Sequence, residues 1–199
     1  MSYQAKYIPQ VKQSSRPVWF WLASVVIAFT ILGLIVGAPL AASNNSPRAA
    51  FVIYHAFGTF CHQIPERSFF VAGHQFAVCA RCTGLYSGFA LVLLLYPLIK
   101  PIRSTALPNV KWLFLSAIPM LIDFSLTFFG LWENTHTSRL STGLLLGGVT
   151  VFYVVPGLTE LGLRAEAKSD AIKSSPFTMA SAEAIASAPS DYSAPERRI

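Results

Sequence analysis

Residues 61–84 read CHQIPERSFFVAGHQFAVCARCTG and hold all three cysteines of the chain and two of its four histidines. Cys79 and Cys82 form a C-x-x-C pair, a spacing that turns both sulfurs toward one point, either a metal ion or each other. Cys61 and His62 lie eighteen residues upstream, and His74 lies between. A Cys3His or Cys2His2 set drawn from Cys61, His62, His74, Cys79 and Cys82 would hold a zinc-like ion tetrahedrally, because thiolate and imidazole suit a borderline-soft cation. Redox chemistry is a second option. In an oxidising compartment Cys79 and Cys82 could bond to each other. A thiol just ahead of a helix, with Arg81 beside it, becomes acidic and reactive. Membrane oxidoreductases that pass electrons from thiols to a quinone share this outline, yet they use a second cysteine pair and only Cys61 remains here. A plain structural disulfide, or buried thiols with satisfied histidines, is the third option.

A second group of chemistry-bearing residues is ionic. Asp123 falls in PMLIDFSLTFFG, near the middle of an apolar run. A charge there is costly, so by default it marks a functional site with a partner. Arg139 is the expected partner, its stem buried and its head reaching toward Asp123. Arg67, Arg81, Glu66 and Glu133 fall on the same side of the chain's topology and join Asp123 and Arg139 as candidates. His55 reads as an interfacial histidine, and His136, in ENTHTSR, as a solvated one.

The elements that must carry these residues are membrane helices. The chain has 199 residues, of which 53% are hydrophobic and 12% charged, with a mean hydropathy of +0.51. That is too apolar for an ordinary soluble domain. Four runs are long enough to cross a bilayer: 18–42, 83–99, 111–132 and 140–161. The first is longer than the core of a signal peptide and is read as a retained helix. A fifth run, 49–60, is too short to span and reads as an interfacial or re-entrant helix leading into Cys61. Gly33 and Gly37, Gly84 and Gly88, and Gly143 and Gly147 are small-x-x-x-small pairs that let helices approach closely, within one bundle or in a homo-oligomer.

The net charge of +6 does not mark a nucleic-acid binder, because the basic residues flank the apolar runs and do not form a stripe. Eleven lysines and arginines (in the lead before residue 18, in the loop 100–111 and after residue 163) fall on one side of the four spans. Arg48, Arg67, Arg81 and Arg139 fall on the other. The positive-inside rule therefore puts both termini in the cytoplasm and the cysteines and histidines at the outer boundary of the cell (inner) membrane. Residues 1–17 form a cytoplasmic lead and residues 18–163 the membrane domain. Residues 164–199, rich in Ala, Ser and Pro, read as a disordered tail.

The run CHQIPERSFF followed by CARCTGLYSG resembles a family of small bacterial and archaeal integral membrane proteins defined as a domain of unknown function, DUF2085. Asp123 then falls in a P-x-x-x-D segment, and Arg139, Gly143 and Gly147 in an R-L-x-x-G-x-x-x-G segment. The resemblance covers roughly 51–156. It implies that Cys61, His62, Gln63, Arg67, Ser68, Cys79, Arg81, Cys82 and Gly84 belong to the family pattern. The family often has D-G-x-x-Q where this chain has Asp123-Phe124-Ser125, and His74 matches no family position. The resemblance implies a membrane location and carries no activity.

The expected fold is therefore all-α, a four-helix transmembrane bundle with an outer interfacial segment. The expected function is metal binding by the outer Cys/His cluster beside an Asp/Arg network. A quinone-linked thiol–disulfide oxidoreductase and a small transporter or assembly subunit without catalysis are the alternatives. The expected surroundings are the lipid bilayer, with no nucleic acid.

Overall fold

The computed structural model describes residues 15–173. Five helices and one hairpin follow in the order α1 (Arg16–Ser43), α2 (Pro47–Gly58), β1 (Ser68–Val71), β2 (His74–Cys79), α3 (Ala80–Ile99), α4 (Lys111–Phe128) and α5 (His136–Lys173). A single 3-10 turn at Pro65–Arg67 leads into β1. Four helices, α1, α3, α4 and α5, are long and apolar enough to cross a membrane by length and composition. Their outward faces are apolar: Leu98 is 84% exposed, Phe114 69% and Leu121 63%. In water such a surface would drive aggregation, whereas in a bilayer it meets lipid. The protein is an all-α membrane bundle with one small hairpin.

The centre of the bundle is the contact between α3 and α5. A Cβ on Gly84 or Gly88 would run into the carbonyls of Leu140 and Leu144, and one on Gly143 or Gly147 into those of Arg81 and Leu85. The two glycine pairs therefore face each other, and their order shows that α3 and α5 run parallel and begin at the same end. Gly33 and Gly37 on α1 have nothing within 4 Å of a would-be Cβ. The same motif thus serves packing in two helices and remains unused within this chain in the third.

Helices α1 and α4 run the opposite way. Trp21 Nε1, near the start of α1, donates to Leu93 O near the end of α3 (2.9 Å). Tyr153 Oη of α5 donates to Asn109 O just before α4 (2.9 Å). Ala28, Ala90, Leu93, Tyr96, Val151 and Val155 fill the space between α1, α3 and α5. α4 touches mainly α5 and lies at the periphery.

Two boundaries differ from the sequence reading. The third apolar run stops as a helix at Phe128, short of Trp132. The Leu131 N–H donates to Leu126 O (3.0 Å) and the Gly130 N–H to Thr127 O (3.1 Å), with Gly130 at φ +67°. This is a Schellman motif, in which glycine takes the left-handed position that closes a helix. Asp123 is consequently near the end of α4 and not at its middle. At the other extreme α5 runs on to Lys173, so 164–173 are helical and not the start of a disordered tail. The expected lead at 1–14 and tail at 174–199 lie outside the described residues.

The hairpin was not expected from sequence. Ala72 (φ +52°) and Gly73 (φ +78°) form its two-residue turn, a pair of positive φ angles that matches the twist of antiparallel strands. Val71 pairs with His74 and Phe70 with Gln75, and a bulge then brings Ser68 opposite Cys79. That shift in register carries the chain directly from Cys79 into α3.

Gly84→Val and Gly147→Val are expected to force α3 and α5 apart and to cost at least about 1–3 kcal/mol, the usual scale of overpacking. Gly33→Val and Gly37→Val are expected to leave stability unchanged. Thermal unfolding and monodispersity of the four variants in mild detergent check this contrast.

Candidate metal and charge site

Three separate pieces of chain deliver the thiols. Cys61 follows the last turn of α2, its N–H donating to Phe57 O (3.0 Å). Cys79 is the N-cap residue of α3, and Cys82 follows one turn later, where an i, i+3 spacing stacks the two side chains. The three Sγ atoms lie within 4.8 Å of one another, and all three thiols are free. Sulfurs bound tetrahedrally to one zinc at about 2.3 Å sit about 3.8 Å apart, a spacing within the bound that the trio keeps. Cys61 is buried against Ile35 and Val78, with Phe57 and Tyr86 packed around them. Its sulfur accepts the Cys79 N–H at 3.3 Å. The Cys79 thiol is held well below the ordinary thiol range, first by its hydrogen bond with Cys61 and then by that with Cys82.

Gln63 fixes this arrangement. Its φ is +51°, and its Nε2 donates to Tyr54 O on α2 (2.7 Å) and Ala77 O on β2 (2.8 Å). Tyr54 Oη in turn donates to Gln75 O. The short connection between Cys61 and β1 is thus tied to both neighbours, which sets Cys61 against Cys79.

The histidines stand apart from the sulfurs. The trio includes no histidine nitrogen among the described residues. His62 is exposed and lines the cavity onto which the trio opens. His74 is exposed at the hairpin turn, paired with Val71. His55 stacks on Phe51, with centroids 5.8 Å apart. His136, though exposed, also touches the ring of Phe69 (5.6 Å), so the hairpin leans on the start of α5.

The ionic residues converge beside the thiols. Arg81 Nη2 donates to Asp123 Oδ2 at 2.6 Å, an ion pair whose side chains are 23% and 11% exposed. The Arg81 guanidinium also lies 5.8 Å from the centroid of Phe124. Arg139 was the expected partner of Asp123, but the structure inserts Asn134 between them. Asn134 Nδ2 donates to Asp123 Oδ2 (2.7 Å) and to Asp123 O (3.1 Å), while Arg139 Nε donates to Asn134 Oδ1 (2.6 Å). The reason is reach: α4 ends near Asp123, and the short turn to α5 places an amide where both charged groups can use it. Asn134 carried no sequence signal, since nothing in ENTHTSR marks its amide as a bridge. Glu66 is exposed in the 3-10 turn, and neither it nor Glu133 forms an ion pair among the described residues.

A cavity of about 390 Å³ joins the two groups, lined by Cys61, Cys79 and Cys82 together with Arg67, Arg81 and Arg139. Phe60, Phe124 and Phe128 form its apolar rim.

Residues 61–153 match the model of a family described as predicted membrane protein (DUF2085). An uncharacterized protein of Methanocaldococcus jannaschii is 38% identical over 119 residues, which are 60% of this chain and 76% of that protein. An uncharacterized protein of Methanothermobacter thermautotrophicus is 42% identical over 91 residues, 46% of this chain and 80% of the relative. No solved structure matches the chain. The family match begins at Cys61 and takes in the trio, Asp123, Asn134 and Arg139.

Asp123→Leu is expected to strand the Arg81 charge and cost about 2–4 kcal/mol, while Asp123→Leu with Arg81→Met is expected to be less destabilised than Asp123→Leu alone. Thermal unfolding of the two single variants and the double variant measures this coupling. The lowered pKa of Cys79 also has a defined sign. A native state that prefers the thiolate gains stability as pH rises from its depressed folded value toward the ordinary thiol value of 9.0 and loses it as pH falls. Reduced, chelator-treated protein is expected to lose stability on acidification through this window, and Cys79→Ser is expected to flatten that slope.

Proposed function

Because the chain belongs to the DUF2085 family of predicted membrane proteins, we propose that it is an integral membrane protein that binds a zinc-like ion through Cys61, Cys79 and Cys82. The observation that carries the reading is the convergence of three free sulfurs within 4.8 Å. A structural zinc site closes with four protein ligands, whereas a working site keeps one position open. Here the thiols would supply three, and the same three cysteines line the cavity that His62 and the arginines also line. His62 would close the site by a rotation of its exposed side chain. Without it the fourth place would stay open to a water or substrate oxygen, and an ion held there would supply Lewis-acid chemistry. The protein's own contribution is to hold three sulfurs and three guanidiniums around one space.

In this reading the thiol end of the bundle faces outward and both termini face the cytoplasm, an orientation that the distribution of lysine and arginine supports. A thiol–disulfide oxidoreductase with a quinone acceptor is the second reading, favoured by the acidic Cys79 thiol at the head of α3. The engagement of Asp123 by Arg81 and Asn134 speaks against its use as a free cation or proton site in a transporter.

Protein purified in mild detergent without chelator is expected to carry about one zinc-like ion per chain, lost in Cys79→Ser and in Cys82→Ser. Metal analysis beside a free-thiol count decides between the readings. Absence of metal, with two of the three thiols blocked until reduced, would sink the metal reading and favour the redox one.

A further inference from the structure

The cavity holds more positive charge than the protein itself answers. Of the three guanidiniums that line it, only that of Arg81 meets a carboxylate among the described residues. Arg139 is only 9% exposed, yet its one hydrogen-bond acceptor is the neutral Asn134, reached through Nε. Its two Nη groups find no acceptor among the described residues. The like charges of Arg67 and Arg81 act on it more strongly than the opposite charges of Asp123 and Cys79. Arg67 lines the same cavity and makes no side-chain hydrogen bond or ion pair among the described residues. Arg81 adds a buried Nε with no acceptor of its own. A buried arginine without a counter-charge is expensive, and a fork of N–H donors is matched best by a planar or tetrahedral oxyanion.

We propose that this cavity binds a phosphate-type oxyanion, held by Arg139 and Arg67. Two guanidiniums without a carboxylate match a doubly charged, several-oxygen anion better than a single carboxylate. A zinc-like dication on three thiolates retains one negative charge, so the cavity stays net positive even with the metal in place. The parallel α3 and α5 both begin here, and their N-terminal dipole ends add in the same sense. The volume of about 390 Å³ exceeds that of a few waters, at roughly 30 Å³ each, and admits a phosphate with part of what it is esterified to. The aromatic rim of Phe60, Phe124 and Phe128 suits the apolar portion of such an ester, so the phosphate could be free in solution or the headgroup of a lipid. This inference deepens the metal reading and rests on it in one respect: the anion would lie against the open side of the thiol trio. The anion's own binding needs no metal.

The test uses the full chain in nanodiscs of neutral phosphatidylcholine, with metal content measured on the same sample. Inorganic phosphate is titrated at constant ionic strength against chloride, and thermal unfolding is followed by tryptophan fluorescence. A second series replaces part of the lipid with phosphatidic acid. Arg67→Gln is the informative variant, because Arg67 is exposed and its side chain makes no hydrogen bond or ion pair among the described residues; Arg67→Lys keeps the charge. The expected result is a saturable rise in unfolding temperature with one of the two probes. Arg67→Gln is expected to raise the half-saturating concentration roughly tenfold, the effect of losing one charged contact, with Arg67→Lys between it and the parent. A response to inorganic phosphate identifies a soluble ligand, and a response confined to phosphatidic acid identifies a lipid headgroup. No saturable response to either, or equal responses in the parent and Arg67→Gln, overturns the proposal. Saturable binding in a sample without metal retires the metal reading and keeps this one, while metal without anion binding does the reverse.

Discussion

The rest of this structure depends on the close backbone approach of α3 and α5. Two glycine pairs face each other, with no room for even one methyl group at their contact. That contact makes the two helices parallel and starts them at the same level. Everything of chemical interest is then a consequence of sequence position relative to that start. Arg81 and Cys82 sit in the first turn of one helix, Arg139 at the beginning of the other and Asn134 in the turn just before it. In a lipid environment small residues supply such contacts because van der Waals packing, and not the hydrophobic effect, must hold helices together.

A second constraint is the obligation to satisfy polar groups that the first constraint buries. Asp123 is brought to the thiol end because a Schellman motif stops α4 at Phe128. There it takes one hydrogen bond from Arg81 and two from Asn134, one to its carboxylate and one to its backbone carbonyl. The same Asn134 carries Arg139. Charge, amide and charge thus form one chain that joins α3, α4 and α5.

The hairpin plays a comparable role for the thiols. Its bulge delivers Cys79 to the head of α3, and Gln63 ties the preceding connection to α2 and β2. Cys61, although eighteen residues from Cys79, ends with its sulfur against the Cys79 N–H. The resulting trio has one face on a buried apolar wall and the other on a cationic cavity. Metal binding and anion recognition, as proposed above, would therefore share one space.

Much of this was legible in the residues. Four long apolar runs demand helices wherever backbone groups cannot reach water, so the all-α bundle followed from composition and length. The C-x-x-C spacing within a helical turn marked Cys79 and Cys82, and the cost of a charge in an apolar run marked Asp123. Gly130 also announced the end of α4 by a known helix-stop signal, although the apolar residues after it masked the stop. What sequence spacing could not supply was direction in space. Which of three equivalent glycine pairs would meet, that His62 and His74 would stand outside the trio, and that Asn134 would come between Asp123 and Arg139 depend on where whole helices lie against each other. Local pattern determines which residues must be buried or helical, because that physics is short-range. Only the tertiary structure decides which buried donor faces which acceptor, because that pairing is a property of distances between segments far apart in the chain.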